Sequence, residues 1–478
     1  MLKLLALLGL STLLWWSALW LLIPVHWQQL SPTVMLLLHL LPPIMLTVLV
    51  QLWRLRQQRQ EQTAAQAQAD AEAAAQQERR DAARTQHQAA LHERQQTIAC
   101  RWLWGQALPQ RDEPAWLAAL PDACQWSVLT AEEVAEGAVL DSLQASVADA
   151  LLALYGELPG AAALPLLLEV LPQISGIEQV GRMRELQQQA WFSAQGDVPQ
   201  PDSDCRFLPG SGPLAERVLS FLAQDPTLPG VVVLAADAPR ALLDADEEPD
   251  SHTRQQWRQL GRQLGRPGAA VVLMLFLREG LLAAEGHAPA AGADPYQPYW
   301  ERSATAIPAG WGPVPASAQA ALSALPVLAC LAPSSGTALA QQGTLQLTRQ
   351  LQALLDNALV NAALLDYPFS EEDARPQDNR ADSVAWLVHN SGDVEVGGAR
   401  LSAIASNLTR HQIALHPIDE ACNLVRDWGD VGAATSAMLA ALAVTHCARL
   451  AAPAVITQFH HDHAALAVAR PACKENTL

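Results

Sequence analysis

Thiols are scarce and scattered in this sequence. Seven cysteines stand at 100, 124, 205, 330, 422, 447 and 473, an odd total with no CxxC pair. That pattern excludes a disulfide framework and a zinc site built from paired cysteines, and it suits reduced cytosolic thiols. Basic residues are also in short supply: 30 Lys and Arg face 48 Asp and Glu, a net charge of −18. So acidic a chain is a poor ligand for nucleic acid or for a broad anionic lipid surface. It favours a basic protein partner instead. No P-loop, dinucleotide fingerprint or kinase signature is present, and no cofactor is expected.

What the sequence has in plenty is apolar length at its start. Residues 4–23, LLALLGLSTLLWWSALWLLI, carry no charge, and neither do residues 33–53, TVMLLLHLLPPIMLTVLVQLW. At about 1.5 Å per residue each run crosses a hydrocarbon layer of roughly 30 Å. Pro42 and Pro43 should kink the second run, which a membrane helix tolerates when neighbours satisfy the freed carbonyls. A cleaved signal peptide fits the first run poorly, because its apolar region exceeds the usual ~7–15 residues and no small-x-small site precedes Pro24. Residues 24–32 contain no Lys or Arg, whereas Arg54, Arg56 and Arg59 follow the second run and Lys3 precedes the first. The positive-inside rule then predicts a multi-pass protein of the bacterial inner membrane with both termini cytoplasmic. Residues 1–53 are the two spans. Residues 54–99, rich in Gln, Ala, Arg and Glu, predict a helical neck or linker. No sustained a/d heptad supports a coiled coil there.

From Cys100 onward, short apolar runs alternate with amphipathic ones. Strands are predicted at 126–130, 164–171, 230–236, 270–277, 325–331, 383–389, 412–416, 454–459 and 465–469. Helices are predicted at 131–154, 212–224, 252–265, 345–365, 401–410 and 432–449. This alternation predicts an α/β domain over residues 100–478 with both sheet faces covered. Loops rich in Pro, Gly, Asp and Ala fall at 196–203, 244–251, 286–315 and 370–382.

The last hundred residues contain SVAWLVHNSGD, then HPIDEACNLVRDWGDVGAATSAMLAALAVTHCARL, then PAVITQFHHDHAALAVARP. This order resembles the C-terminal half of β-ketoacyl synthases, which have the thiolase-like fold. GDVGAATSAMLAALA resembles the family's glycine-histidine turn and buried helix, and ITQFHHDHAALAVA its closing hairpin. LPGVVVLAADAPR and PGAAVVLMLFL resemble the two strands after the nucleophile helix. The resemblance covers roughly residues 164–471. It implies a layered α-β-α-β-α fold of two similar halves, roughly 100–290 and 316–478, and a homodimer formed through an edge strand.

The family's chemistry needs a cysteine at a helix start, where amides and dipole lower its pKa, and two imidazoles (or an imidazole and an asparagine). The positions matching that site are Gly210, Ser211, Asn390 and Asp430. No cysteine stands at the helix start, Asn390 and Asp430 stand where imidazoles are expected, and Phe459-His460-His461-Asp462-His463 replaces a glycine-rich gate. An aspartate cannot donate to an oxyanion. The resemblance therefore implies a degenerate site. For residual chemistry the candidates are Cys205, Ser211, His389 and His461. For a metal they are His461 and His463, which alternation places on one strand face. A solvated hairpin loop accounts for the same histidines, and an N-cap for Ser211. The acidic run Asp244, Asp246, Glu247, Glu248 and Asp250 reads as a solvated loop.

Three functions follow as expectations. The first is a membrane-anchored, non-catalytic scaffold or adaptor of an envelope-associated assembly such as a secretion apparatus. The second is a membrane-tethered acyl-thioester condensing or acyl-transfer enzyme. The third is a lipid or acyl-ligand sensor.

Overall fold

The computed structural model describes residues 2–22, 31–94, 97–130, 134, 139–225, 227–239, 265–278, 281, 310–339, 343–365, 380–392, 394–460 and 462–472. Outside them lie the acidic run at 244–250, all but the last residue of the helix expected at 252–265, most of the 286–315 loop, and His461. The chain divides into two compact units, Met1–Ala89 and Ala90–Leu478.

The first unit is helical. Helix α1 spans Leu2–Leu22, and α2 runs for 63 residues from Pro32 to Arg94 with Pro42 and Pro43 inside it. The two helices touch. Ser11 and Leu19 of α1 are buried, as is Thr47 of α2. The Trp15 Nε1–H donates to Leu38 O at 2.9 Å and the Trp16 Nε1–H to His39 O at 3.4 Å. Leu10, Leu13, Leu14, Leu37, Leu41 and Leu49 face outward. Residues 52–75 of α2 are exposed all round. Among the described residues, two helical stretches are long and apolar enough to cross a membrane, Pro32–Arg79 and Gly432–Leu450. The second is largely buried inside the second unit, as a core helix is.

The second unit is a mixed α/β structure around one 12-stranded sheet. Its first strands are β1 (Ile98–Ala107), β2 (Cys124–Val128), β3 (Leu166–Leu168), β4 (Cys205–Phe207), β5 (Gly230–Asp237) and β6 (Ala270–Arg278). The rest are β7 (Ala329–Leu331), β8 (Ser335–Ala338), β9 (Trp386–His389), β10 (Ala421–Asn423), β11 (Ala454–His460) and β12 (His463–Arg470). The helices are α3 (Val139–Glu157), α4 (Gly176–Gln195), α5 (Leu214–Gln224), α6 (Ala316–Ala324) and α7 (Thr344–Asn361), then α8 (Val394–Arg410), α9 (Leu424–Asp427) and α10 (Thr435–Leu450).

The main path reads β10-β9-β11-β12-β7-β1-β6-β5-β3-β4. Number the five path strands on each side in chain order, and both sides read 3-2-4-5-1. In both, the fifth strand is antiparallel to its neighbours while strand 2 runs parallel to strands 3 and 4. The chain thus repeats one winding twice, and the copies join where Ile98, Ala99 and Cys100 of β1 pair with Leu331, Cys330 and Ala329 of β7. The strands that read as unbroken apolar runs, VVVLAA and AVVLMLFL, are buried on both faces, which explains their lack of alternation.

Helix α10 is buried from Ser436 to Cys447. Its alanines at 437, 440, 441 and 443 let strands of both copies approach it, and it touches β9, β11 and β12 as well as β6 and β1. A second apolar cluster lies under α7 and α8, where Leu355, Leu359, Ile404 and Leu408 meet Val455 and Val468.

Two readings of the sequence need correction. The strand expected at 412–416 is a turn and loop: α8 ends at Arg410, and Gln412 takes φ 60° to close it. The third strand of the second copy is Ala421–Asn423, recruited by pairing with β9. The neck expected to run to residue 99 is helical only to Arg94, and Ile98–Ala107, where no strand is predicted, is β1.

Strand β1 is crowded at Gly105, where a Cβ would lie 2.6 Å from ring carbons of Trp126. That indole is held by its Nε1–H donating to Thr445 Oγ1 at 2.8 Å. Gly105→Ala should therefore destabilise the protein by about 1–3 kcal/mol, read as a lower urea midpoint in detergent solution. An unchanged midpoint would show that the indole moves aside freely.

Candidate functional site

The positions matched to the family site lie at four chain turns: before α5, after β9, before α10, and at the β11–β12 hairpin. Before α5 the chain passes Gly210 and Gly212, with φ of 84° and 107°. Arg217 supports this turn from within. Its guanidinium donates to both Glu169 oxygens at 2.7 and 2.8 Å and to Leu208 O and Pro209 O. Burial pushes the Glu169 carboxyl up even with Arg217 beside it. Ser211, between the glycines, is exposed. Pro213 is the N-cap of α5, so Ser211 does not cap it. Among the described residues no histidine hydrogen-bonds to Ser211.

Cys205 stands elsewhere, on strand β4 rather than at a helix start. It is buried, and its charged and polar surroundings include Arg184 of α4 and Tyr155 of α3. Burial pushes its thiol up to about 11, so it is protonated at neutral pH. The other five described cysteines are also buried, and none of them forms a disulfide.

After β9, the next turn bonds partly to itself and partly to the hairpin, and the buried His389 Nε2 has no hydrogen-bond partner among the described residues. His389 is the last residue of β9 and 1% exposed. Its Nδ1 lies 2.9 Å from Ser391 Oγ, and the Ser391 amide also points at it. Burial, then the nearby Arg426 cation, pulls its pKa down to about 4, so the ring is neutral at pH 7. Asn390 faces the hairpin. Its Nδ2 donates to Phe459 O at 2.9 Å, and its Oδ1 accepts from Phe459 N at 2.7 Å. Both ends of the amide are thereby used on one backbone residue. The Phe459 ring is buried, with the Arg400 guanidinium 4.7 Å from its centroid. Beyond it the hairpin tip is solvated: Asp462 and His463 are exposed and pair with each other at 2.7 Å. Among the described residues no cluster of three or more metal-ligating side chains occurs.

The third turn joins the two copies. Asp430 Oδ1 accepts the Gly432 amide at 3.1 Å, and Asp237, from the end of β5, accepts the Ala433 amide through Oδ2 at 2.7 Å. Both amides begin the short 3-10 segment Gly432–Ala434 that runs into α10. Gly432 has φ 52°, and a side chain there would strike the Asp237 carboxylate. Asp237 is 1% exposed and its Oδ1 has no partner. Burial raises its pKa from 3.8 to about 6, and the Asp430 charge adds to the rise. Ser436, on the first turn of α10, donates to Gly212 O at 3.1 Å, so the starts of α5 and α10 meet. Sequence reasoning passed over Asp237. Its signal was an acid closing an all-apolar strand, VVVLAAD.

The turns contain a buried neutral imidazole, a locked asparagine, two carboxylates that accept backbone amides and an exposed serine. A small void between α7, α8 and the sheet at Thr457 and Leu466 measures about 10 Å³, room for roughly one water.

No family model matches the chain. The search of curated proteins finds no match. Among solved structures the chain is similar to the ishigamide ketosynthase/chain length factor, with 15% identity over 61% of this chain and 63% of that one and a TM-score of 0.30. It is also similar to human mitochondrial 3-ketoacyl-CoA thiolase, with 10% identity over 80% of this chain and 100% of that one and a TM-score of 0.40. A third likeness is to 3-oxoacyl-(acyl carrier protein) synthase III of Pseudomonas aeruginosa, with 13% identity over 78% and 98% of the two chains and a TM-score of 0.33. The match spans only 20% of a PfaC keto synthase–chain length factor chain.

Asp237→Asn keeps an acceptor for the Ala433 amide and removes the charge. A carboxyl titrating near 6 when folded and 3.8 when free contributes its full stability below 3.8 and loses it as pH rises through 6. The variant should therefore be about 1–3 kcal/mol more stable than wild type at pH 8 and equal to it near pH 4. Urea unfolding at the two pH values reads the difference. An equal gap at both would show that Asp237 does not titrate between them.

Proposed function

We propose that this protein is a membrane-anchored, non-catalytic scaffold or adaptor built on a thiolase-like, layered domain. The observation that carries this reading is the Asn390–Phe459 pair. The side chain at an expected imidazole position spends both hydrogen-bonding ends on a hairpin backbone, where it holds structure and faces no reactant. The other departures agree in direction. Asp430 accepts the Gly432 amide in the turn before α10, Cys205 is a buried thiol on a strand, and among the described residues no histidine hydrogen-bonds to Ser211. The doubled 3-2-4-5-1 winding supports the thiolase-like, layered part of the reading. Function is argued here from the site, since a fold alone does not assign one.

The membrane half rests on α1 and the start of α2. Their outward leucines suit lipid, and Arg54, Arg56 and Arg59 suit a cytoplasmic end at the bacterial inner membrane. Strand β4, at one end of the sheet path, offers an open edge on which a second copy could pair, giving a homodimer. The exposed side chains of Ile177 and Phe192 on neighbouring α4 extend that surface. With a net charge of −18, the domain would recruit a basic partner of an envelope-associated assembly, of which a secretion apparatus is one example.

Incubation of the full chain with malonyl and acyl thioesters, followed by intact mass, should show no adduct. A stable adduct abolished by Ser211→Ala or Cys205→Ala would overturn the scaffold reading in favour of an acyl-transfer enzyme. Capture from detergent-solubilised membranes should retain a basic partner that elutes with rising salt.

A further inference from the structure

The diproline in α2 removes two specific hydrogen bonds. In an α-helix the carbonyl of residue i accepts from the amide of residue i+4. Proline has no amide hydrogen, so Pro42 leaves Leu38 O without its donor and Pro43 leaves His39 O without its donor. Those are the two carbonyls that α1 reaches. The Trp15 indole N–H donates to Leu38 O at 2.9 Å, and that of Trp16 to His39 O at 3.4 Å. The pairing is in order: consecutive tryptophans serve consecutive carbonyls freed by consecutive prolines.

Neighbouring groups tighten the same junction. The Trp16 ring packs edge-on against His39, with centroids 6.2 Å apart. The His39 ring holds its orientation through Nδ1 and Met35 O at 2.8 Å. One turn beyond the break, Thr47 is buried and its hydroxyl lies within bonding distance of Pro43 O and Ile44 O. Where water is absent, a freed carbonyl has no other source of a donor. This step rests on the membrane reading given above.

We propose that Trp15 and Trp16 form a latch over the diproline break, supplying the two donors that Pro42 and Pro43 lack, and that this latch fixes the register of α1 along α2. Apolar contact alone would allow many registers, because leucines cover both helices. The two indoles allow one. Helix α1 is then a specific partner of α2 and more than a second greasy anchor.

The latch is testable in the full chain in liposomes. Spin labels on Leu10→Cys and Leu49→Cys, both 61% exposed, report the distance between the helices. The six described native cysteines are buried, and Cys473→Ser removes the seventh. Trp15→Phe with Trp16→Phe keeps the aromatic rings and loses both N–H groups. It should widen the distance distribution at least twofold. In a Pro42→Ala, Pro43→Ala background, which restores the main-chain donors, the same Phe pair should leave the width unchanged. Equal widening in both backgrounds, or none with the prolines present, overturns the latch. Flotation of the unsubstituted chain with lipid separately tests the membrane reading. If the chain does not float, the latch can still be read in detergent micelles.

Discussion

A helix sealed inside a protein must find acceptors for its first amides there, since four of them have no partner within the helix. In this chain the buried α10 is entered through the short 3-10 segment Gly432–Ala434, and two carboxylates accept that segment's first two amides. Asp430 comes from the turn before it, and Asp237 comes from the far copy of the repeated winding. The helix dipole draws both toward the same end. The arrangement costs Asp237 its solvation, which is why its carboxyl titrates near 6. What it secures is a fixed seat for α10 between the strands of both copies. Groups from both copies bond to that seat. Ser436 reaches Gly212 from it, and Trp126 is held by Thr445 on it.

The same economy appears at each matched position. A reactive group must have an unspent atom facing open space. Asn390 has none, because Phe459 takes both. His389 turns one nitrogen to Ser391 and lies in the protein interior. Ser211 is exposed, and among the described residues no histidine hydrogen-bonds to it. A polar group used internally in this way helps to fix a turn. The buried Arg217–Glu169 pair is the clearest case: it fastens the loop from Leu208 to Pro209 before the chain reaches Gly210. Such a pair adds little net stability after its desolvation, and its contribution is geometric.

Much of this architecture can be read in the residues. β5, β6, β11 and β12 announce themselves as apolar runs with a proline close to one end. α10 is legible from its unbroken small and apolar residues. Other elements were hidden for physical reasons. β1, IACRWLWGQA, mixes bulky, polar and flexible residues, and its strand state comes from pairing with β6 and β7. β10 is three residues long and exists only because β9 lies beside it. α4 was legible after all: Ser175 accepts the Glu178 amide, the opening of a capping box, ahead of a helical run. At the site, the departures from the family pattern were visible as letters. The new employment of Asn390 was not, because its locked amide is defined by Phe459, 69 residues away.

The junction between the first two helices also bears on inheritance. Two tryptophans and two prolines act there as one unit, since an indole without its proline has no vacant acceptor and a proline without its indole strands a carbonyl. Drift at one of these four sites is neutral only when its counterpart changes as well. Descendants of this gene should therefore keep both dipeptides or abandon both together, and a lineage with WW but no PP would mark a helix pair that has slipped into a different alignment.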